Sequence, residues 1–210
     1  MKTLDQRAQA RVLRALHAQP PLVLPNAWDP GSAVAIEAAG AKAIATTSAG
    51  VSWAAGVADG GGLSRAAALD AVRRIVAAVS VPVTADIESG YGATPEEVGS
   101  TIAEVLAAGA VGINLEDSPG VHGAPLLEPD AQAERLASAR ETARAAGIEL
   151  CINARTDTYL AGVGRRASGL PPPWPAPSDT PPPARTFSSC LASSIPTRYE
   201  HSSAGHCRSM

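Results

Sequence analysis

Five short apolar runs, each followed directly by polar residues, constrain the fold of this 210-residue chain more than any other feature. The runs are Leu22–Pro25, Ala43–Ala45, Val81–Val83, Val111–Leu115 and Leu150–Ile152. Alanine-rich segments with helical spacing separate them, namely Ser32–Ala39, Arg65–Val79, Pro95–Ala108 and Asp130–Ala146. Strands that alternate with helices at this spacing pair in parallel through crossover connections. The sequence therefore predicts an α/β fold.

Local signals mark the ends of the predicted helices. Thr94 stands before Pro95-Glu96-Glu97, which is typical of an N-cap, a proline at the first helical position and acids in the first turn. Gly40, Gly109 and Gly147 lie where helices should stop, since glycine readily adopts the left-handed conformation that ends a helix.

The polar residues after each run distinguish between two α/β architectures. Functional groups gathered at the carboxyl ends of consecutive parallel strands are typical of a (β/α)₈ TIM barrel. A doubly wound open sheet is the structural alternative, but it concentrates its site at a single switch point. We therefore predict a barrel of TIM type that is incomplete here, with about five strand–helix units visible over residues 1–164.

The third run leads into Asp86 and Glu88, two acids spaced two apart and followed by a glycine-flanked turn. Residues two apart in a strand project to the same face, so both carboxylates should point the same way. Mg²⁺ is commonly held by one or two carboxylates together with waters and substrate oxygens. The motif is compatible with a magnesium site or with a solvated turn.

Several motifs together resemble the isocitrate lyase / phosphoenolpyruvate mutase superfamily over about residues 5–164. They are Pro25-Asn26-Ala27-Trp28-Asp29, Thr46-Thr47-Ser48-Ala49-Gly50, Asp59, Asp86-Ile87-Glu88-Ser89-Gly90-Tyr91-Gly92, Gly112-Ile113-Asn114-Leu115-Glu116-Asp117 and Asn153-Ala154-Arg155-Thr156-Asp157. The resemblance implies a Mg²⁺-dependent barrel that makes or breaks C–C or C–P bonds beside a 2-oxo acid through an enolate.

The same resemblance implies a metal site. Asp86 would ligate Mg²⁺ directly, with Mn²⁺ as an alternative ion, while Glu88 and Glu116 would hold waters of the metal and Asp59 would assist from a loop. The competing interpretation of Asp59 is a simple loop acid. A carboxylate closing an apolar strand, as Glu116 does, is costly unless it is solvated or bound to metal. Asp117 either takes part or braces the loop.

A substrate-binding turn is also implied. Ser48, Ala49 and Gly50 resemble the turn in which backbone N–H groups and a hydroxyl receive the substrate carboxylate and stabilise a developing enolate. An ordinary tight turn is the alternative. Trp28 would form a wall of the pocket or pack in the core.

Arg155 is the implied anion clamp, because a planar guanidinium matches a carboxylate or phosphonate with two parallel hydrogen bonds. A salt bridge from Arg155 to Asp157 or Glu116 is an alternative that does not exclude the clamp.

One segment departs from the family pattern. Isocitrate and methylisocitrate lyases carry a Lys-Lys/Arg-Cys-Gly-His loop after the strand that ends in Glu116, and the mutases carry a different gating loop. Here the segment is Ser118-Pro119-Gly120-Val121-His122-Gly123-Ala124-Pro125. His122 is its only titratable side chain and could move a proton, although a solvated loop histidine is the alternative.

Composition excludes some classes of partner. The net charge of -3 gives no electrostatic footprint for nucleic acid. No apolar stretch approaches the length of a membrane span and the amino terminus is polar, so neither a membrane helix nor a secretory signal is predicted. The three cysteines show no metal-binding spacing. We expect a cytoplasmic enzyme.

The composition changes at Gly164, and nine of the 18 prolines follow it. Residues 165–210 have no apolar periodicity, which is typical of a disordered tail, and a proline-rich stretch could instead bind a partner. We favour a third interpretation, a slip of the reading frame, because a shifted frame over residues 181–197 can encode a strand and loop of the kind expected later in such a barrel. Without the later strands the pocket would be open to water, so we expect little turnover from the 210-residue chain.

The leading functional hypothesis is a Mg²⁺-dependent lyase, hydrolase or mutase acting on a small 2-oxo or 2-hydroxy carboxylate or a phosphonate. Arg155, Glu116 and His122 are the candidate catalytic residues. The family resemblance implies a homo-oligomer. Two alternatives from other classes are an inactive family member with no selected activity and a binding module that uses the proline-rich tail.

Overall fold

The computed structural model describes residues 5–18, 21–119, 125–158 and 160. The candidate His122, the predicted boundary at 164 and the tail at 165–210 lie outside the described residues. In the part of the chain that is described, no helix is both long enough and apolar enough to cross a bilayer.

Five parallel strands form one sheet, which confirms the predicted α/β fold. They are β1 (Asn26–Ala27), β2 (Ile44–Thr46), β3 (Val83–Asp86), β4 (Gly112–Glu116) and β5 (Cys151–Arg155). Their order in the sheet is the order along the chain, β1-β2-β3-β4-β5. A doubly wound sheet reverses its order at a switch point, so the sequential order favours the barrel architecture.

Six helices accompany these strands among the described residues. They are α1 (Gln6–His17), α2 (Pro30–Ala38), α3 (Ser48–Ala54), α4 (Arg65–Ala78), α5 (Pro95–Ala107) and α6 (Pro129–Ala145). The predicted start of α5 is confirmed, because Thr94 accepts from the N–H of Glu97 while the Glu97 side chain accepts from the N–H of Thr94. This reciprocal pair satisfies two donors that the helix itself cannot satisfy.

Two helices and the bounds of all five strands differ from the sequence prediction, since β2 to β5 each end one to three residues beyond their apolar runs. α1 and α3 were not predicted, and β1 begins at Asn26 instead of Leu22. Pro21 precedes the predicted strand and Pro25 is its last residue, and a proline has no N–H to donate to a neighbouring strand. The ladder therefore starts only after Pro25, whose carbonyl accepts from the N–H of Ala45 at 3.0 Å.

The two faces of the sheet have different surroundings. Alternate residues such as Ala85, Ile113 and Ile152 pack in a buried cluster with apolar residues of α5 and α6. On the other face, close to the amino ends of the strands, a side chain at Gly112 would collide with Thr84 and with Leu13 of α1.

α1 therefore lies over the amino ends of the strands. Its Gln6 side chain donates to the carbonyls of Leu106 and Ala110, and its Gln9 side chain donates to that of Ser80. The carbonyls of Ser80 and Ala110 belong to the segments that enter β3 and β4, and that of Leu106 lies in the last turn of α5. Polar side chains lie at the opposite ends of the strands, the carboxyl ends.

Candidate metal and anion site

Asp86 lies at the carboxyl end of β3 and is held by its neighbours. Its Oδ2 accepts from the backbone N–H of Ser48 at 3.1 Å, and its own N–H donates to Thr46 Oγ1 at 2.9 Å. Thr46 ends β2 and Ser48 begins α3. The junction between these two elements therefore fixes the Asp86 carboxylate.

Glu88 is a buried acid one turn beyond β3. Its backbone is left-handed, with φ of 50°, and its N–H donates to Asp86 Oδ1 at 3.2 Å. β3 ends at Asp86, so this turn and not strand alternation places the two acids relative to each other. Both oxygens of Glu88 are engaged, Oε1 by the Tyr91 hydroxyl at 2.9 Å and Oε2 by the Gly61 N–H at 3.1 Å.

The environment of Glu88 disfavours its charged form. Burial raises the pKa of Glu88, hydrogen bonds from Tyr91 and Gly61 oppose the rise, and the carboxylates of Asp86 and Asp59 add to it. Burial also raises the pKa of Tyr91, so its hydroxyl keeps its proton and remains a donor. Asp59 is itself exposed, and the loop that carries it is joined to Glu88 through Gly61.

Glu116, at the end of β4, forms an ion pair with Arg155 at the end of β5. Arg155 Nη1 lies 2.5 Å from Glu116 Oε1, and Arg155 Nε lies 2.7 Å from Asp157 Oδ1. Glu116 and Asp157 are both buried. The salt bridges foreseen as the alternative for Arg155 are therefore both present, and they use two of the five N–H donors of a guanidinium.

Burial raises the pKa of Glu116, Arg155 lowers it, and Asp86 and Asp157 raise it again. For Arg155, burial lowers the pKa, but Glu116 and Asp157 outweigh burial and the net direction is upward. Arg155 is therefore a firmly charged cation between two acids. Asp86 and Asp157 raise the pKa of Glu116 because a neighbouring negative charge disfavours its ionised form.

Two amides that were not selected from the sequence join Asp86 to β5. Asn114 Nδ2 donates to Asp86 Oδ1 at 3.4 Å, and Asn153 Nδ2 donates to Asn114 Oδ1 at 2.5 Å. The strand register places the three side by side. The Oδ1 of Asn153 is buried and has no hydrogen-bond partner among the described residues. The sequence contained a signal for both amides, because Asn114 stands two residues before Glu116 and Asn153 stands two residues before Arg155.

Ser48, Ala49 and Gly50 form the first turn of α3 and not an isolated tight turn. The N–H of Ser48 already donates to Asp86, and the N–H of Gly50 points to Thr47 Oγ1 at 3.5 Å. Backbone donors are thus oriented here by a helix start, next to Asp86.

Trp28 lies beside this turn, since a side chain at Gly50 would approach the Trp28 Cβ to 3.1 Å. Trp28 is 46 % exposed, which excludes the core-packing alternative.

Asp117 braces the loop after β5: its Oδ1 accepts from the N–H of Asp157 at 2.8 Å and its Oδ2 from the Thr156 hydroxyl at 2.6 Å.

The carboxylates at this edge of the sheet are candidate ligands for Mg²⁺. The described part of the chain has no group of three or more His, Cys, Asp or Glu side chains placed to hold a metal ion. Mg²⁺ does not need such a cage, since one or two carboxylates with waters often suffice. Asp86, Glu88 and Glu116 provide only hard oxygen donors, and their mutual repulsion is what a divalent cation would relieve. The residues present fit Mg²⁺.

The sequential parallel strands define a barrel-type α/β protein with acidic side chains gathered at the carboxyl ends of its strands. The sequence profile of the phosphoenolpyruvate phosphomutase family matches residues 13–170. That range is well over half of the chain, so the chain belongs to this family. The resemblance identified from the motifs is thereby confirmed.

Three known proteins illustrate the relationship. An uncharacterised protein of Mycobacterium tuberculosis is 38% identical over 143 residues, which are 68% of this chain and 51% of the relative. A Burkholderia cenocepacia J2315 protein provisionally described as a phosphonomutase is 47% identical, with a TM-score of 0.69 over 72% of this chain and 62% of its own. Phosphonopyruvate hydrolase, solved with oxalate and Mg²⁺, is 27% identical, with a TM-score of 0.68 over 75% of this chain and 56% of its own.

The superfamily includes enzymes of several reaction types. Oxaloacetate acetylhydrolase, solved with its product oxalate, has a TM-score of 0.67 at 26% identity, covering 72% of this chain and 54% of its own. 2,3-Dimethylmalate lyase has a TM-score of 0.65 at 27% identity, covering 72% of this chain and 54% of its own. The chain spans about half the length of the curated relatives it matches.

Proposed function

We propose that this site serves a Mg²⁺-dependent enzyme that breaks or forms a C–C or C–P bond next to a small 2-oxo or 2-hydroxy carboxylate, through an enolate. The observation that carries the proposal is the convergence of Asp86, Glu88, Glu116 and Arg155 at one edge of the sheet, linked through hydrogen bonds and ion pairs from β2 to β5. Phosphonopyruvate hydrolase, a relative with the same fold, was solved with oxalate and Mg²⁺.

Each residue has a proposed task. Asp86 would hold Mg²⁺, with Glu88, Glu116 and Asp59 close by. When bound, Mg²⁺ would supply positive charge that stabilises negative charge developing on the substrate oxygen. Arg155 would bind a substrate carboxylate through the donors that its two ion pairs leave.

The start of α3 would provide the remaining contacts. The backbone N–H groups of Ser48, Ala49 and Gly50 would orient the substrate carboxylate. Those of Ser48 and Gly50 would exchange or share their present acceptors, Asp86 and Thr47, when substrate binds. Trp28 would shield one side of the pocket from water. Glu116, whose pKa is raised by burial, would hold a proton on its carboxyl group more readily than an exposed acid. His122 remains a candidate proton carrier that lies outside the described residues.

A substrate screen tests this function. Oxaloacetate, methylisocitrate and phosphonopyruvate would be assayed with and without Mg²⁺, using the 210-residue chain and a form whose reading frame is restored after Gly164. We expect Mg²⁺-dependent turnover of at least one substrate by the frame-restored form, little from the 210-residue chain, and none from Asp86→Ala. Full activity of Asp86→Ala, or no turnover of any substrate by the frame-restored form, would contradict the proposal.

A further inference from the structure

Arg135, on α6, is a buried cation outside the group of residues discussed above. Only 3% of its surface is exposed. Its guanidinium donates to the backbone carbonyls of Ser89 and Gly92, the second at 2.9 Å, and to the side-chain oxygen of Gln132 at 2.9 Å. Among the described residues, no carboxylate forms an ion pair with Arg135.

Such a cation is costly to keep. Burying a charge is unfavourable unless it is paired or fully hydrogen-bonded, and the Nε of Arg135 has no partner in the described part of the chain. Burial also lowers the pKa of Arg135. An arginine in this position therefore needs a reason beyond general packing.

The two carbonyls that Arg135 holds lie in the turn that follows Glu88. Glu88 and Tyr91 both have left-handed backbones, with φ of 50° and 53°. Such conformations are strained for residues with a side chain and persist only where the surroundings fix them. The carbonyl of Ser89 directly follows Glu88 and that of Gly92 directly follows Tyr91, so Nη2 of Arg135 fixes the backbone after each left-handed residue.

Gln132, which accepts a hydrogen bond from Arg135, lies close to β4. Gln132 Nε2 points to the carbonyl of Leu115 at 3.5 Å, directly before Glu116. The N–H of Glu116 in turn donates to the carbonyl of Glu88 at 2.9 Å. Through Gln132 and Arg135, α6 thus contacts the backbone beside Glu88 and Glu116, two of the buried acids of the site.

We propose that Arg135 is a positioning residue that holds the turn from Glu88 to Tyr91, and thereby sets the orientation of the Glu88 carboxylate and the metal affinity of the site. The metal part of this inference rests on the proposed function. The positioning part can be measured without any metal.

Variants of the full 210-residue chain can separate this role from ordinary stability. Arg135→Met removes the donors. Arg135→Lys keeps the charge but offers one nitrogen in place of two, whereas Nη2 of Arg135 holds both carbonyls and Nη1 donates to Gln132. Arg140→Met is the control, because Arg140 lies on the same helix and donates to a backbone carbonyl, that of Leu150 at 2.5 Å, directly before β5 and away from the turn.

The first measurement is amide hydrogen exchange. The Gly90 amide is bonded to the Ile87 carbonyl at 2.8 Å, and the Glu116 amide to the Glu88 carbonyl at 2.9 Å, so both report on the turn. In Arg135→Met we expect exchange at these two amides to accelerate roughly tenfold or more relative to amides within α4, with a smaller acceleration in Arg135→Lys. Arg140→Met should leave both unchanged.

The second measurement is the affinity of the same samples for Mg²⁺ alone. Residues that support metal ligands typically alter affinity by about 10- to 100-fold when changed, and we expect a loss of this size in Arg135→Met, a smaller loss in Arg135→Lys and none in Arg140→Met.

The results distinguish a failure of the proposed function from a failure of the positioning role of Arg135. Should the unchanged protein bind no Mg²⁺, the proposed function fails, and the exchange data still decide the positioning role. If Arg135→Met does not fold, amide exchange and Mg²⁺ affinity in Arg135→Lys decide whether Arg135 positions the turn. Uniform acceleration of all amides, or equal effects from Arg140→Met, would overturn the inference.

Discussion

At the scale of single residues, the two ion pairs of Arg155 determine how it can act as an anion clamp. Glu116 and Asp157 together offset more than its one positive charge, since both lie within ion-pair distance. A bound cation near Glu116 would draw that carboxylate away from the guanidinium. We therefore expect Arg155 to bind an anion well only when Mg²⁺ is present.

Arg155→Lys tests this view. Lysine keeps the charge but lacks the fork that can bond a carboxylate and two neighbouring acids together. The Mg²⁺-dependent affinity for oxalate should fall by about 1–3 kcal/mol, the scale of a hydrogen bond to a charged group. Calorimetric titration would measure it, and Arg74→Lys, an exposed change at the ion pair with Asp70, should have no effect. Unchanged oxalate affinity in Arg155→Lys would mean that Arg155 is structural.

The residues that sequence reasoning found and those it missed differ in one physical respect. Asp86 and Glu88 stand in a local motif, so their proximity follows from a few neighbouring residues. The contact of Arg135 with Ser89 joins residues 46 apart, and it depends on how α6 packs against the turn. The contact of Asn114 with Asp86 likewise depends on strand register. Neither relation can be deduced from spacing within a single element.

At the scale of elements, a carboxylate joins α2 to the segment that enters β3. Glu37 Oε1 accepts from both the backbone N–H of Ser80 at 2.9 Å and its hydroxyl at 2.5 Å. These two hydrogen bonds hold the pKa of Glu37 below its ordinary value of 4.5. A pKa that is lower in the folded state gives stability above the ordinary pKa, and that stability is lost as the pH falls through the folded value.

Glu37→Gln should therefore destabilise the protein at neutral pH by about 1 kcal/mol, since both bonds are partly exposed to solvent. The difference between the two proteins should shrink as the pH falls below 4.5. Urea unfolding at pH 7 and at pH 3.5 or below measures it, and Glu134→Gln, at an exposed site on α6, is the charge-matched control. A difference that stays constant with pH would refute the link to the Glu37 carboxylate.

Elements were predictable where large apolar residues or caps mark them. The runs that became β2 to β5 and the start of α5 at Thr94 are of this kind. α1 was missed because it buries little beyond Ala10 and Leu13 among many polar residues. α3 was missed because its first residues, Ser48, Ala49 and Gly50, have the composition of a turn, and Thr47 was not recognised as its N-cap.

For the molecule as a whole, the parallel direction of the strands places all five carboxyl ends at the same edge of the sheet. The sequential order makes strands that follow each other in the chain neighbours in the sheet. Asp86 and Glu116, which are 30 residues apart in the chain, thereby come close enough for the charge of Asp86 to raise the pKa of Glu116. The chain belongs to a family of enzymes yet spans about half the length of its curated relatives. We therefore propose that this edge binds Mg²⁺ and a small carboxylate together.

Titration of the 210-residue chain with oxalate, with and without Mg²⁺, tests that claim most directly. We predict saturable oxalate binding that requires Mg²⁺, a loss of about 10- to 100-fold or more in Asp86→Asn, and a milder loss in Glu88→Gln. Asp70→Asn, a change at an exposed ion pair, should bind as the unchanged protein does. Oxalate binding that is independent of Mg²⁺, or equal in Asp86→Asn and the unchanged protein, would contradict the account.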